Sequence, residues 1–211
     1  MTMIAIFGTG GFAREVADVA VELGHDVAYV ARDAAERDAW TFPGDVLLES
    51  EIDDRTDLEY AVGIGENGVR ERIAARYRAR FRFPTLIHPS ATFGRDERAR
   101  IEDRAGTIVC AGVRFTNAIE VGDFCIFNLN VTVGHDVVVD DFVNVAPGAA
   151  ISGNVHLERG VMVGTGAAIN QGTAAAKLTI GSNTQIGSGA VVTKDCEPDA
   201  VYVGIPARRI R

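Results

Sequence analysis

The sequence predicts two units of different architecture: an α/β N-terminal Rossmann-like domain over residues 1–84 and a C-terminal parallel β-helix over residues 85–211. Three observations carry this. A glycine-rich turn follows the first apolar run, apolar residues then recur at helical spacing, and from about residue 85 the apolar period changes to six. Only the first unit carries a period near 3.6, so the two halves cannot be one repeated element.

In the first unit Ile4-Ala5-Ile6-Phe7 reads as a strand ending in Gly8-Thr9-Gly10-Gly11. Val16, Val19, Ala20 and Leu23 then fall on one helical face, closed by Gly24. Val27-Ala28-Tyr29-Val30 is a second strand, Glu59 to Ile64 a third, and Arg70 to Arg80 a charged amphipathic helix. A β-α-β unit with glycines at its first turn is Rossmann-like. Gly8-x-Gly10-x-x-Ala13 fits the dinucleotide fingerprint, and backbone N–H groups at such a helix start favour a phosphate. A unit of about 84 residues is roughly half a full dinucleotide-binding fold, which makes nicotinamide chemistry the poorer reading.

In the second unit large apolar residues stand at Val109, Phe115, Val121, Phe127, Val133, Val139, Val145, Ile151, Leu157, Val163 and Ile169, each six after the last. After an eleven-residue interval the series resumes at Ile180, Ile186 and Val192. Four residues after most anchors sits a small or β-branched residue, such as Val113, Cys125, Val137 or Ala149. A period of six means one short strand per hexapeptide, with three strands per triangular coil and one coil per 18 residues. The long interval marks a five-residue insertion within Gln171–Thr179, and such insertions emerge as loops on one face.

Composition narrows the function classes. Lys plus Arg total 21 against 29 Asp plus Glu, a formal net charge of −8, which argues against a chain held by nucleic-acid phosphates. With 47% hydrophobic residues a sizeable core is expected, and no apolar run approaches the roughly 20 residues of a membrane span. The start MTMIAIFGTGG lacks a basic region and a small-residue cleavage site, so no signal peptide is read. Cys110, Cys125 and Cys196 are odd in number and lack a C-x-x-C pair, which disfavours a disulfide framework or a zinc ribbon. A cytoplasmic location is expected.

Residues 18 apart stack on one corner of a triangular coil, so Asn117, His135, Gly153 and Gln171 form a column, each two residues past its anchor. Turn positions lie outside the apolar interior, which exposes His135 to ligand beneath a bare glycine. Gly153 is expected to leave room for a substrate atom. Acyl transfer from a thioester needs a base for the attacking group and a donor for the tetrahedral oxyanion; neutral imidazole and a backbone N–H meet those needs.

On these repeats, on Asn128–Asn154 (NLNVTVGHDVVVDDFVNVAPGAAISGN) and on the closing VGIPARR, the chain resembles the hexapeptide-repeat acyltransferases of the sialic acid O-acetyltransferase and bacillosamine N-acetyltransferase family. The resemblance covers nearly the whole chain and implies a left-handed β-helix, acetyl-CoA as co-substrate, no metal, a nucleotide-sugar substrate and a homotrimer. It assigns His135 as general base and Asp136 as the carboxylate that raises its effectiveness; a solvated turn aspartate is the alternative for Asp136. It places Asn144, Gly153, Thr165 and Ser188 along acetyl-CoA. Some family members have a second histidine where this chain has Asn144, which can donate a hydrogen bond but cannot relay a proton. Gly10, Gly11, Phe12, Arg32, Asp33, Gly65 and Asn128 match positions near the nucleotide-sugar. Phe12 stands where histidine is frequent, and Ala31-Arg32-Asp33 where acidic residues are frequent. For Asn128 an inter-coil amide ladder is equally open, Glu66 of Gly65-Glu66-Asn67 reads as a turn residue, and Lys177 meets either a coenzyme A phosphate or only solvent.

The expected activity is therefore transfer of an acetyl group to the amine of a nucleotide-linked amino sugar, by direct attack on the thioester. O-acetylation of a sialic acid or related sugar by the same residues is the alternative. A zinc hydratase on this fold needs three converging histidines, whereas His25 lies in the other unit and His156 at another repeat position. A non-enzymatic scaffold would need no base in the polar column, and His135 counts against it.

Overall fold

The computed structural model describes residues 2–211. The first unit is a parallel sheet of four strands, β1 (Met3–Phe7), β2 (Asp26–Ala31), β3 (Asp45–Leu48) and β4 (Glu59–Val62), in the order β3-β2-β1-β4. Helices α1 (Gly11–Glu22), α2 (Ala34–Asp38) and α3 (Asn67–Tyr77) connect and flank it. Strand β1 reads as an unbroken apolar run because both its faces are covered. The sequence pattern picks out three strands. The fourth, β3 (DVLL), lies at one edge of the sheet and has no fully buried residue.

Helix α1 buries Ala13, Val16, Ala17, Val19 and Ala20 against the sheet. It ends where Gly24 turns left-handed (φ 82°), letting Gly24 N–H reach Val21 O (2.9 Å) and His25 N–H reach Ala20 O (3.0 Å). Helix α3 starts three residues before the expected Arg70 because the Glu66 carboxylate accepts from the N–H groups of Gly68 (3.1 Å) and Val69 (2.6 Å). Glu66 is thus a helix cap.

From β5 (Leu86–Ile87) the chain winds as a left-handed β-helix of three parallel faces, with α4 (Glu97–Glu102) inserted in its first coil. The first face stacks Arg114–Phe115, Thr132–Val133, Ala150–Ile151, Ala168–Ile169 and Val191–Val192. The second stacks Glu120–Val121, Val138–Val139, Val155–Leu157 and Leu178–Ile180. The third runs from β5 through Ile126–Phe127, Asn144–Val145 and Met162–Val163 to Val201–Val203, which pairs antiparallel with Arg208–Arg209. Every partner along a face is one coil away, and the hexapeptide anchors fill the interior.

Most corners turn through one left-handed residue, the third after the anchor, commonly Asn, Asp or Gly: Asn130 (φ 58°), Asp136 (φ 58°) and Gly148 (φ 67°) are examples. At the corner between the second and third faces this position holds Phe124 (φ 55°) and Phe142 (φ 61°), stacked at 5.5 Å with rings 3° from parallel. They break the corner preference because they face the first unit, in one buried cluster with Phe7, Tyr60, Tyr77 and Phe83. A second shared core joins Ile4, Ile6 and α1 to Leu86, Ile108 and Cys110. All three cysteines are buried free thiols, and burial pushes Cys110 and Cys125 up to about 12, so neither is nucleophilic at neutral pH. Among the described residues no helix is long and apolar enough to cross a membrane.

Candidate active site

The corner between the first and second faces presents the expected column. His135 Nδ1 lies 2.7 Å from Asp136 Oδ2, and both side chains are half exposed. Because an ionised carboxylate only accepts, Nδ1–H is the donor, and in the neutral ring Nε2 carries the lone pair. The backbone fixes this turn from both sides: Asp136 N–H donates to Asn117 O (3.0 Å) and Asn154 N–H to His135 O (2.8 Å). The left-handed conformation of Asp136 suits an aspartate.

Gly153 is buried, and a Cβ there would stand 2.5 Å from His135 Nε2 and 2.6 Å from Cε1. The expected space for a substrate atom is thus filled by the imidazole itself. Stacking by 18 residues puts the glycine directly above the histidine, and the ring lies along the corner into the next coil.

The insertion emerges at the same corner. Gly172 N–H donates to Gly153 O (3.1 Å), Thr173 and Ala176 close a tight turn, and Leu178 N–H rejoins the ladder at Asn154 O (3.0 Å). Lys177 then reaches back and donates to Asp136 O, which ties the loop to the histidine turn.

A cleft of about 500 Å³ lies at the carboxyl edge of the four-stranded sheet, bordered by Gly8, Arg32, Ile64, Arg72, Arg76 and Tyr77. Gly10 is the N-cap of α1 without a side-chain cap, Gly11 its first residue, and no acidic group occupies the first turn. That arrangement favours an anion. Asp33 is committed to structure: it accepts from Glu36 N–H (2.9 Å) and pairs with Arg32 (3.0 Å), and these two groups hold its carboxyl below the usual range. Glu36 borders the cleft, accepting from Thr9 Oγ1 (2.5 Å) and Arg32 N–H (2.9 Å). Phe12 is half-buried against the α/β core.

Sequence reasoning missed Glu36, Arg72 and Arg76. The available signal was the i,i+4 spacing of Arg72 and Arg76, which puts both on one face of α3. Arg76 is paired with Glu49 (3.0 Å), whose carboxylate also accepts from Tyr77 Oη (2.8 Å).

The remaining expected residues lie elsewhere on the prism. Asn144, on the third face, is buried; its Nδ2 donates to Gly65 O (2.8 Å), while its Oδ1 is buried with no partner. Thr165 and Ser188 are exposed at the corner between the third and first faces. Near that corner, Asn128 Oδ1 accepts from Leu129 N–H (2.8 Å). The first face separates His135 from Thr165 and Ser188. A groove of about 560 Å³ along the second face involves neither set; within it Arg159 pairs with Asp141 (3.3 Å). His25, His88 and His156 bind Thr2 O, Ser90 and Asp140 respectively, and among the described residues no group of three or more ligands is placed for a metal.

The family model for the PglD N-terminal domain matches residues 3–77. Over 100% of this chain and 97% of its own length, the GDP-perosamine N-acetyltransferase of Escherichia coli O157:H7 is 27% identical. PerB from Caulobacter crescentus, solved in complex with CoA and GDP-perosamine, superposes with a TM-score of 0.86 at 27% identity, covering 100% of this chain and 98% of that one. The acetyltransferase domain of PglB from Neisseria gonorrhoeae FA1090 gives 0.84 at 27%, covering 100% of both chains. Over its full length the chain is thus similar to nucleotide-sugar N-acetyltransferases, and residues 3–77 match the N-terminal domain of PglD.

Proposed function

We propose that this acyltransferase moves the acetyl group of acetyl-CoA to the amine of a nucleotide-linked amino sugar, with His135 as general base. The observation that carries the reading is the His135–Asp136 pair on a half-exposed corner, in which Nδ1–H donates to the carboxylate so that a neutral ring presents Nε2 as the basic atom. The amine nitrogen attacks the thioester carbonyl carbon and its proton passes to Nε2. The tetrahedral intermediate then collapses, the C–S bond breaks, and coenzyme A leaves as the thiol with that proton. Asp136 orients the ring and stabilises the transient imidazolium. Gly153 N–H, which donates to no carbonyl of the chain, is the proposed oxyanion donor.

The nucleotide sits in the cleft of the first unit, its diphosphate on the glycine loop and α1. Binding energy gathered there, remote from the reacting atoms, orients the amine. The GDP-perosamine bound by PerB supports this substrate class. Acetyl-CoA lies along Asn144, Thr165 and Ser188, and a homotrimer completes the site by setting one chain's His135 corner against the next chain's third corner. Leu129, Met162 and Ile205 expose apolar surface near that corner, in keeping with a covered face.

The test is thiol release from acetyl-CoA against nucleotide-linked amino sugars and free sialic acid. Turnover of an amino sugar is expected. Turnover of sialic acid alone would instead mean O-acetylation. His135→Ala should cost about 10²–10⁴-fold in kcat/KM; near wild-type transfer by that variant would remove His135 as the base.

A further inference from the structure

Among the described residues Arg70 is the largest fully buried side chain, and no carboxylate lies within ion-pair distance of it. Burial lowers its pKa to about 10, so it stays charged at neutral pH. All five of its N–H donors are used. Nε donates to Phe124 O (2.8 Å) and Nη2 to Phe142 O (2.7 Å), both on the β-helix. Nη1 donates to Ile64 O (3.2 Å) and Gly65 O (3.1 Å), and Nη2 also to Asn67 Oδ1 (2.9 Å). Asn67 Nδ2 continues the series to Gly160 O (2.7 Å).

The three β-helix acceptors, at 124, 142 and 160, are 18 apart: they are the left-handed residues of one corner in three successive coils. Arg70 and Asn67 therefore read the coil spacing with directed bonds. On the other side, the carbonyl of Gly65 is shared between Arg70 and Asn144 Nδ2, while Ile64 borders the sheet-edge cleft. One guanidinium thus touches the cleft wall, the helix corner and the acceptor of Asn144.

Adhesion alone does not call for a cation here. The stacked Phe124–Phe142 pair and its aromatic neighbours already supply an apolar interface, and an unpaired buried charge is costly to desolvate. What a rigid fork adds to apolar contact is a single register, because its five donors must all be met at once.

We propose that Arg70 is a positioning residue that fixes the nucleotide cleft in one register on the β-helix, so that an acceptor anchored by its nucleotide delivers its amine to the acetyl-transfer corner. This rests on the reading of the chain as a nucleotide-sugar acetyltransferase. The experiment compares kcat/KM for a nucleotide-linked amino sugar with that for the same amino sugar as its 1-phosphate, in wild type, Arg70→Lys and Arg70→Met. The wild type should prefer the nucleotide-linked acceptor. The variants should lose about 10–100-fold on that acceptor, the scale of a misplaced reactant, with Arg70→Lys retaining more than Arg70→Met. The 1-phosphate reaction and the KM for acetyl-CoA should stay near wild type, so the preference ratio collapses. An equal fall on both acceptors, or none on either, would overturn the positioning role. Equal wild-type use of both acceptors would instead overturn the reading of the cleft, and the role of Arg70 with it. Should Arg70→Met not fold, Asn67→Ala removes one rung while keeping the guanidinium, and the same collapse, smaller in size, is expected.

Discussion

The imidazole of His135 is oriented by two contacts of different kinds. Asp136 fixes the tautomer through a 2.7 Å bond, and the bare Cα of Gly153 lets the ring lie along the corner. Gly153→Ala is therefore a test of orientation. Its Cβ would meet the ring within bonding-contact range, while the backbone there is not left-handed and tolerates alanine. The variant should fold, keep its KM for acetyl-CoA, and lose about 10²-fold in kcat by steady-state thiol release, since a displacement near 1 Å is enough for that. Undiminished kcat would show that ring placement does not depend on this glycine. The column His135–Gly153 is legible in the sequence because an 18-residue stack is a counting rule. Arg70 is not legible: within VRERIAARYR it looks like any solvated charge, and only the packing of α3 along one corner of the β-helix buries it.

At the scale of elements, the corners of the β-helix show how one local rule is broken for a distant partner. Left-handed positions favour Gly, Asn and Asp, yet Phe124 and Phe142 occupy two of them at a cost of about 1 kcal/mol or more each. Burial in the aromatic cluster with Phe7, Tyr77 and Phe83 offsets this, since a buried Phe contributes several kcal/mol. Phe142→Ala should destabilise the junction by about 3–5 kcal/mol. In denaturant, followed by near-UV tyrosine signals of the first unit and far-UV signals of the coil, the first transition should move to lower concentration. Coincident, unshifted transitions would refute the docking role. The insertion is similar in kind: its five extra residues are countable, but its return to Asp136 O through Lys177 is a tertiary contact.

For the whole molecule, the separation of His135 from Thr165 and Ser188 by the first face, with Asn144 on the third, sets the next prediction. If each site is shared between neighbouring chains, His135→Ala and Asn144→Ala, each nearly inactive, should regain turnover when mixed and allowed to exchange subunits. An equimolar mixture should recover about a quarter of wild-type activity, because a site then draws both intact residues one time in four. No recovery, with exchange verified by mass, would place the site within one chain. Cyclic symmetry suits a triangular prism, whose corners can meet a neighbour's without leaving an open end.

Periodicity and composition by themselves determined the architecture: the hexapeptide register, the corner column, the glycine turn and the buried anchors all follow from local spacing. The physical reason is that each coil repeats the same short-range geometry, so position in the chain converts directly into position on a face. What tertiary structure decided are the contacts with no local period. The ring of His135 fills the space over Gly153, Asp33 caps α2 instead of lining the cleft, and Glu36, Arg72 and Arg76 line it. Arg70 joins the units through carbonyls of two successive coils, and Asn67 reaches that of a third. Such contacts depend on how two units of different period meet, and a sequence pattern confined to either one carries no record of that angle.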